Sequence, residues 1–339
     1  MKILVVKLTS MGDVLHLMPA LSDLGAAHSD ISIDWMVEDS FADIPLWHPK
    51  VDRVISVSTR RWRQLRWANL SEILSFIKTL RSTRYDVVID AQGLIKSALL
   101  ARLAKRNKGG YFAGYSGDSI KESPAAKFYN KKISVARTEH AILRLRQLFS
   151  ECFDYIFDAQ NLDYGISIKT STQSKKPSIM LLHGTTWSSK HLPDTIWREL
   201  ADLIADDGYS ILLSWGNQQE RQRAEWIAKE RPGVSVLDKS TLNTLAQELK
   251  QVSGAIAVDT GLGHMAAAFA VPCVSVYGAT NATLTGTMGK NQSHIRSDYP
   301  CSPCLLKKCN KLTTQVSLPP CYQSIDAATI WQTLHAQIV

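Results

Sequence analysis

Two stretches of this 339-residue chain follow one pattern. Val87 to Ala101 (VVIDAQGLIKSALLA) and Ala255 to Ala268 (AIAVDTGLGHMAAA) each read as a buried strand ending in Asp, then a Gly-Leu turn and a helix of small residues. A β-branched run followed by such a turn and helix is part of a βαβ unit, the connection that parallel strands need because a tight hairpin cannot join them. Either the chain carries one architecture twice, or two ordinary βα units happen to look alike.

The wider pattern favours the first reading. Lys2 to Lys7, Ile31 to Val37, Val51 to Val57 and Tyr85 to Asp90 read as strands, with helical periodicity over Leu70 to Leu80, Leu94 to Lys105 and Glu139 to Phe149. A polar stretch from Asp163 to Pro177, almost without large apolar residues after Ile168, then reads as a linker. The cycle restarts with strands at Ser178 to Leu182, Tyr209 to Ser214 and Gly254 to Val258, and with helices at Pro193 to Ala205 and Glu220 to Glu230. The expected fold class is α/β, two Rossmann-like domains at 1–165 and 178–324 around a linker at 166–177. Ligands of such sheets bind beyond the carboxyl ends of the strands, so two of them facing each other would enclose a cleft.

Charge and composition narrow the partners. Lys plus Arg number 39 against 31 Asp plus Glu, a net charge of +8 that suits phosphates, nucleic acid or an anionic membrane surface. The densest basic run, Thr59-Arg60-Arg61-Trp62-Arg63-Gln64-Leu65-Arg66-Trp67, is accompanied by no recognised nucleic-acid motif. It reads as a phosphate or carboxylate site, a lipid-headgroup contact or a solvated basic helix. No apolar run approaches the roughly 20 residues that span a bilayer, and the opening KILVV meets Lys7 and Asp13 at once, which points to a cytoplasmic protein. Six cysteines are too few for a disulfide scaffold, yet Cys301, Cys304, Cys309 and Cys321 crowd together. They read as a structural cluster of reduced thiols, adventitious disulfides or a four-thiolate Zn²⁺ site, while Cys152 and Cys273 read as buried thiols.

Candidate sites fall at strand ends. Asp13, where strand one meets its helix, reads as a helix cap or as a carboxylate that takes a proton from a substrate hydroxyl. Lys7 and His16 beside it are candidates for phosphate contacts. Asp259-Thr260-Gly261-Leu262-Gly263-His264 reads as a tight βα turn or as a phosphate site where glycines let an anion approach a helix N-terminus. Thr185, Thr186 and Lys190 combine hydroxyls and a cation suited to a diphosphate, or belong to a solvated loop. Trp215 and Glu220 offer an aromatic wall and a carboxylate for ribose hydroxyls, or a core Trp and a first-turn Glu.

Taken in order, KLTSMGDVLHLMPAL, WMVEDSFADIPLWHPKVDRVI, RRWR, YDVVIDAQGLIKSALLARL, FYNKK, VDTGLGHMAAA and VPCVSVYGATN span nearly the whole chain. This series resembles the lipopolysaccharide heptosyltransferases, inverting glycosyltransferases of family 9 with a GT-B fold, and most closely their first-heptose type. The resemblance implies transfer of L-glycero-D-manno-heptose from ADP-heptose to the Kdo of the lipid A inner core, with or without a phosphate on that Kdo. It implies a cytoplasmic monomer, peripheral on the inner face of the inner membrane, that uses no nucleic acid, metal or other cofactor. By the same resemblance Asp13 is the general base. Thr185, Thr186, Lys190, Glu220 and Asp259, Thr260, Gly261, Leu262, Gly263 and His264 bind the donor; Ser10, Gly12, Arg60, Arg61, Arg63 and Lys121 bind the acceptor. The family often has Arg where this chain has Lys121, and the cysteine-bearing tail looks more like the second-heptose type. That type, and a nucleotide-sugar-binding module without turnover, are the alternatives. Residues 325–339 are expected to form a helix that packs back on the first domain, as GT-B terminal helices do.

Overall fold

In the computed structural model, which describes residues 1–64, 68–168, 176–313 and 318–339, the apolar runs become the inner strands of two parallel sheets. Contacts divide the chain into two units, Met1–Ser167 and Ile168–Val339. Arg66 and Trp67 of the basic run and residues 169–175 of the expected linker lie outside the described residues.

The first unit runs β1 (Lys2–Val6), α1 (Met11–Ala27), β2 (Ser32–Glu38), β3 (Val51–Val57), α2 (Thr59–Trp62), α3 (Ala68–Leu80), β4 (Arg84–Asp90), α4 (Ile95–Arg102), β5 (Lys105–Tyr115), β6 (Lys131–Ile133) and α5 (Ala141–Phe153). Its sheet order is β3-β2-β1-β4-β5-β6, every pair parallel. The central strands carry continuous apolar runs, as strands covered on both faces must: Ile3 to Val6 and Val87 to Ile89 are at most 1% exposed.

The second unit runs β7 (Ser178–Leu182), α6 (Asp194–Asp206), β8 (Ser210–Leu213), α7 (Gln218–Ala228), β9 (Val234–Val236), α8 (Leu242–Leu249), β10 (Gly254–Val258), α9 (Gly261–Ala268), β11 (Cys273–Tyr277), α10 (Ala282–Thr285), β12 (Gln292–Arg296) and α11 (Ala327–Ile338). Its order, β9-β8-β7-β10-β11-β12, repeats that of the first. The two echoing stretches of sequence therefore occupy equivalent places. β4 and β10 each lie directly beside the first strand of their sheet, where the strand order reverses.

One expectation is corrected. The helical pattern carried from Leu94 to Lys105 stops at Arg102, and Lys105 begins the long strand β5. KRNKGG masks that strand because its glycines serve a bulge. Gly109 has φ +83°, and a Cβ on Gly110 would lie 2.9 Å from the Tyr85 carbonyl, beside the register shift at Tyr85/Val87. Ile330, Trp331 and Leu334 of α11 join the core of the second unit beside Leu200 and Ile256, and Trp331 donates from its indole to Asp207 at 2.6 Å. Gly254 makes room for it, since a Cβ there would come within 3.1 Å of Leu334.

One buried cation ties the end of the first unit to its start. Arg146 on α5, 1% exposed, donates to both oxygens of Asp23 on α1 at 2.6 and 2.9 Å and to the carbonyls of Asp158 and Asn161 at 2.9 Å each. Its guanidinium also lies 4.4 Å from the Phe157 ring centre. Removing one partner of such a pair leaves the other charge uncompensated. Arg146→Met is expected to cost about 3–5 kcal/mol in urea unfolding, and Arg146→Lys to recover only part, because an ammonium cannot reproduce the planar fork. A loss under about 1 kcal/mol would refute this anchoring role.

Candidate active site

In the first unit the chemistry gathers where β1 and β4 end. The turn from β1 into α1 is clamped by Gln92, whose side-chain oxygen accepts the Leu8 and Thr9 N–H groups at 2.9 and 3.1 Å. Asp13 sits in the first turn of α1 behind the buried Gly12. Its Oδ2 accepts both the backbone N–H and the hydroxyl of Ser10, each at 2.8 Å. Ser10, expected to contact a ligand, is thus used to orient this carboxylate.

Lys7 closes the other side. Its ammonium, with the side chain 8% exposed, lies 3.9 Å from Asp13 Oδ1 and donates to the Ala91 carbonyl at 3.1 Å. Burial pulls the Lys7 ammonium below its usual range against the opposing pull of Asp13 and Asp90, and Arg144 adds repulsion. Asp90, fully buried, accepts from the Gln92 and Gly93 N–H groups, the Ser97 hydroxyl and the Tyr129 phenol at 2.8–3.2 Å. Burial pushes its carboxyl upward, and these hydrogen bonds oppose the push.

A cavity of about 210 Å³ opens over this corner, lined by Lys7, Asp13, Gln92, Lys121, Arg137 and Arg144 among others. Four cations against one carboxylate suit an acidic ligand carrying a hydroxyl within reach of Asp13. Lys121, assigned to the acceptor by the resemblance, is on its wall. Arg137 and Arg144 were not anticipated, although Arg144 carried a signal: a cation within the apolar face formed by Ala141, Leu145 and Leu148. Its guanidinium packs 5.4 Å from the Tyr115 ring centre and donates to the Ser119 carbonyl.

The arginines after β3 do not line this cavity. Arg61 is already engaged, donating to both oxygens of Glu72 at 2.5 and 3.2 Å and to the Ser58 hydroxyl at 2.8 Å, and these bonds hold the Glu72 carboxyl below its usual range. Arg60 and Arg63 are exposed. Together with burial, the leading cause, they lower the ammonium of Lys96 on α4, which donates to the Thr59 hydroxyl at 3.0 Å.

In the second unit the loops after β7, β8 and β10 meet. Asp259 lies 2.7 Å from the Lys190 ammonium, accepts the Thr280 hydroxyl at 2.5 Å and faces His264 Nε2 at 4.0 Å. The Thr185 hydroxyl donates to the Asp259 carbonyl at 3.2 Å, Thr186 is exposed, and Lys190 also lies 4.4 Å from the Trp187 ring centre. Thr260 is the N-cap of α9, which begins at Gly261 with Leu262, Gly263 and His264 in its first turn. Glu220 packs directly on Gly184, where any Cβ would lie 2.8 Å from its carboxyl carbon, and accepts the Gly216 N–H at 2.7 Å. Hydroxyls, an ammonium and a helix N-terminus gathered at strand ends can hold a diphosphate. Trp215 is engaged with the Leu237 carbonyl at 2.7 Å.

The tail cysteines are free thiols. Burial, with the neighbouring Cys309, Cys301 and Cys304, raises the Cys321 thiol to about 11. Among the described residues no three His, Cys, Asp or Glu side chains converge as metal ligands, so the four-thiolate Zn²⁺ reading finds no support in this geometry.

Residues 73–314 match the family model described as glycosyltransferase family 9 (heptosyltransferase). A lipopolysaccharide heptosyltransferase 1 from Pseudomonas aeruginosa is 43% identical over 319 residues, covering 93% of this chain and 89% of that protein. The structure of the Escherichia coli heptosyltransferase WaaC with ADP matches with a TM-score of 0.87 and 36% identity, covering 99% of this chain and 100% of that one. The same enzyme with ADP-2-deoxy-2-fluoro heptose matches with a TM-score of 0.80 and 40% identity, covering 88% and 93%.

Two histidines beside the second site give it an acid sensitivity. His183 at the end of β7 and His191 are each lowered to about 4, by burial first and then by the Arg223 cation, which shares a hydrogen bond with His191 at 2.9 Å. Both stay neutral in the folded chain where the unfolded chain takes up protons, so stability is complete above about pH 6.5 and falls as the pH drops toward 4. Thermal unfolding is expected to show this decline, and His183→Leu to flatten part of it. An unchanged slope in that variant would refute the contribution of His183.

Proposed function

The chain belongs to glycosyltransferase family 9, the heptosyltransferases, and from that premise we propose the first-heptose reaction: transfer of L-glycero-D-manno-heptose from ADP-heptose to the Kdo of the lipid A inner core. The observation that carries this reading is the pairing of Asp13 with a cavity whose other charges are the cations Lys7, Lys121, Arg137 and Arg144. Kdo brings a carboxylate and, where phosphorylated, a phosphate. The cavity offers cations for both and one base for the hydroxyl that reacts. The relative's name, lipopolysaccharide heptosyltransferase 1, and the fluoro-heptose nucleotide bound by its Escherichia coli counterpart support the same donor and step.

The chemistry is a single displacement. The acceptor oxygen bonds to the anomeric carbon from the face opposite ADP as its proton passes to Asp13. The carbon–oxygen bond to ADP breaks with its electron pair remaining on the diphosphate, and the configuration inverts. One base suffices, without a nucleophilic carboxylate. Thr185, Thr186 and Lys190 hold the diphosphate with the N-terminal turn of α9, Asp259 and His264 bear on the diphosphate and heptose, and Glu220 accepts from the ribose. In this structure Lys190 is paired with Asp259, so donor binding exchanges that contact for one to phosphate. Lys121, Arg60 and Arg63 receive the acceptor's acidic groups, and Arg61 holds their turn through Glu72. The reading places the protein as a monomer on the cytoplasmic face of the inner membrane, whose anionic surface the net charge of +8 complements. No helix among the described residues is long and apolar enough to cross a membrane.

Asp13→Asn is expected to lower turnover about 10²-fold or more with ADP-heptose affinity nearly unchanged; near-normal turnover would remove Asp13 from the mechanism. Lys121→Ala is expected to raise the acceptor KM more than Arg60→Ala with Arg63→Ala does, with the donor KM steady in both, and the reverse order would place the acid-binding site at α2. The deciding assay is ADP release from ADP-heptose with a Kdo-terminated acceptor and, separately, with one already carrying the first heptose. Turnover with the second alone would establish the second-heptose reaction instead.

A further inference from the structure

The two oxygens of Asp13 have different surroundings. Oδ2 is occupied twice by Ser10, through the N–H and the hydroxyl at 2.8 Å each. Oδ1 faces the Lys7 ammonium at 3.9 Å, close enough for strong attraction and too far for a hydrogen bond. That oxygen keeps its lone pairs for a third partner, and the Asp13 side chain, 43% exposed, lines the cavity where such a partner would sit.

Lys7 itself is an expensive residue to place there. Its side chain is 8% exposed, and among the described residues the one hydrogen bond of its ammonium is to the Ala91 carbonyl, a bond that a neutral donor would serve without the cost of burying a charge. The groups facing this corner are Asp90 at the end of β4, the phenol of Tyr115 on β5, Arg144 on α5, and Lys121 and Arg137 on the cavity wall. Asp90 is committed to four donors of its own turn and neighbours. Arg144 is held by the Ser119 carbonyl and the Tyr115 ring. Lys7 is therefore the cation built to act on Asp13.

We propose that Lys7 is a positioning residue for the transfer: its buried ammonium draws Oδ1 of Asp13 into place at the cavity as the proton-accepting oxygen, while Ser10 fixes Oδ2. This rests on the reading of Asp13 as the base. In this role Lys7 acts through Asp13, by setting which carboxylate oxygen faces the cavity before the proton arrives.

The test uses the full-length protein with ADP-heptose and a Kdo-terminated acceptor, comparing Lys7→Gln and Lys7→Met with the parent and with Asp13→Asn. Gln keeps a neutral donor for the Ala91 carbonyl, so it separates loss of charge from loss of that bond, and thermal unfolding checks that each variant folds. Lys7→Gln is expected to lower kcat about tenfold or more with the donor and acceptor KM values unchanged. Adding Lys7→Gln to Asp13→Asn is expected to cost little more than Asp13→Asn alone. Normal turnover in Lys7→Gln, or reduced turnover with a fully additive double variant, would overturn the proposal while leaving Asp13 as the base. Near-normal turnover in Asp13→Asn would instead overturn the reading on which it rests.

Discussion

The site in each unit depends on a constraint of parallel pairing. Parallel strands joined by crossovers place their helices on alternate faces, and where the order reverses the loops after two neighbouring strands part instead of packing together. In the first unit that gap lies between β1 and β4, in the second between β7 and β10. Lys7, Asp13, Asp90 and Gln92 come from the first pair of strand ends; Thr185, Lys190 and Asp259 come from the second. A register slip of one residue along β1 would turn Lys7 to the other face of the sheet and leave Asp13 without its cation.

The same slot has been put to different uses. Asp90 ends β4 and Asp259 follows β10 in equivalent positions. Asp90 spends its hydrogen-bonding capacity on the turn it belongs to and on Tyr129, and is wholly buried. Asp259 reaches across to Lys190 and Thr280, both on other loops. The difference follows from the turns: Gln92 and Gly93 present N–H groups to Asp90, whereas Thr260 and Gly261 start α9 immediately and direct their N–H groups outward along a helix end.

The excess of positive charge divides along similar lines. Arg146, Arg61 and Arg223 are built into ion pairs and carbonyl contacts that hold segments of their own unit together. Lys121 and Arg137 face the cavity above Asp13. A net charge counts both kinds equally, so it indicates an acidic partner without indicating where that partner binds.

Sequence alone determined the parallel α/β architecture, the duplication, and the strand ends at which Asp13, Thr185, Lys190 and Asp259 fall, because apolar runs of period two and helical runs of period 3.6 are local properties of the chain. It also carried the family, since a series of motifs in order is itself a sequence property. It hid β5 behind KRNKGG, whose Gly110 answers to the Tyr85 carbonyl on another strand, and it did not show that the apolar face of α11 joins the core of the second unit. Only tertiary structure decided that Lys7, Arg137 and Arg144 share one cavity with Asp13 while Arg61 is committed elsewhere. Which cation meets which carboxylate depends on distances between residues far apart in the chain, and those distances exist only once the strands have paired.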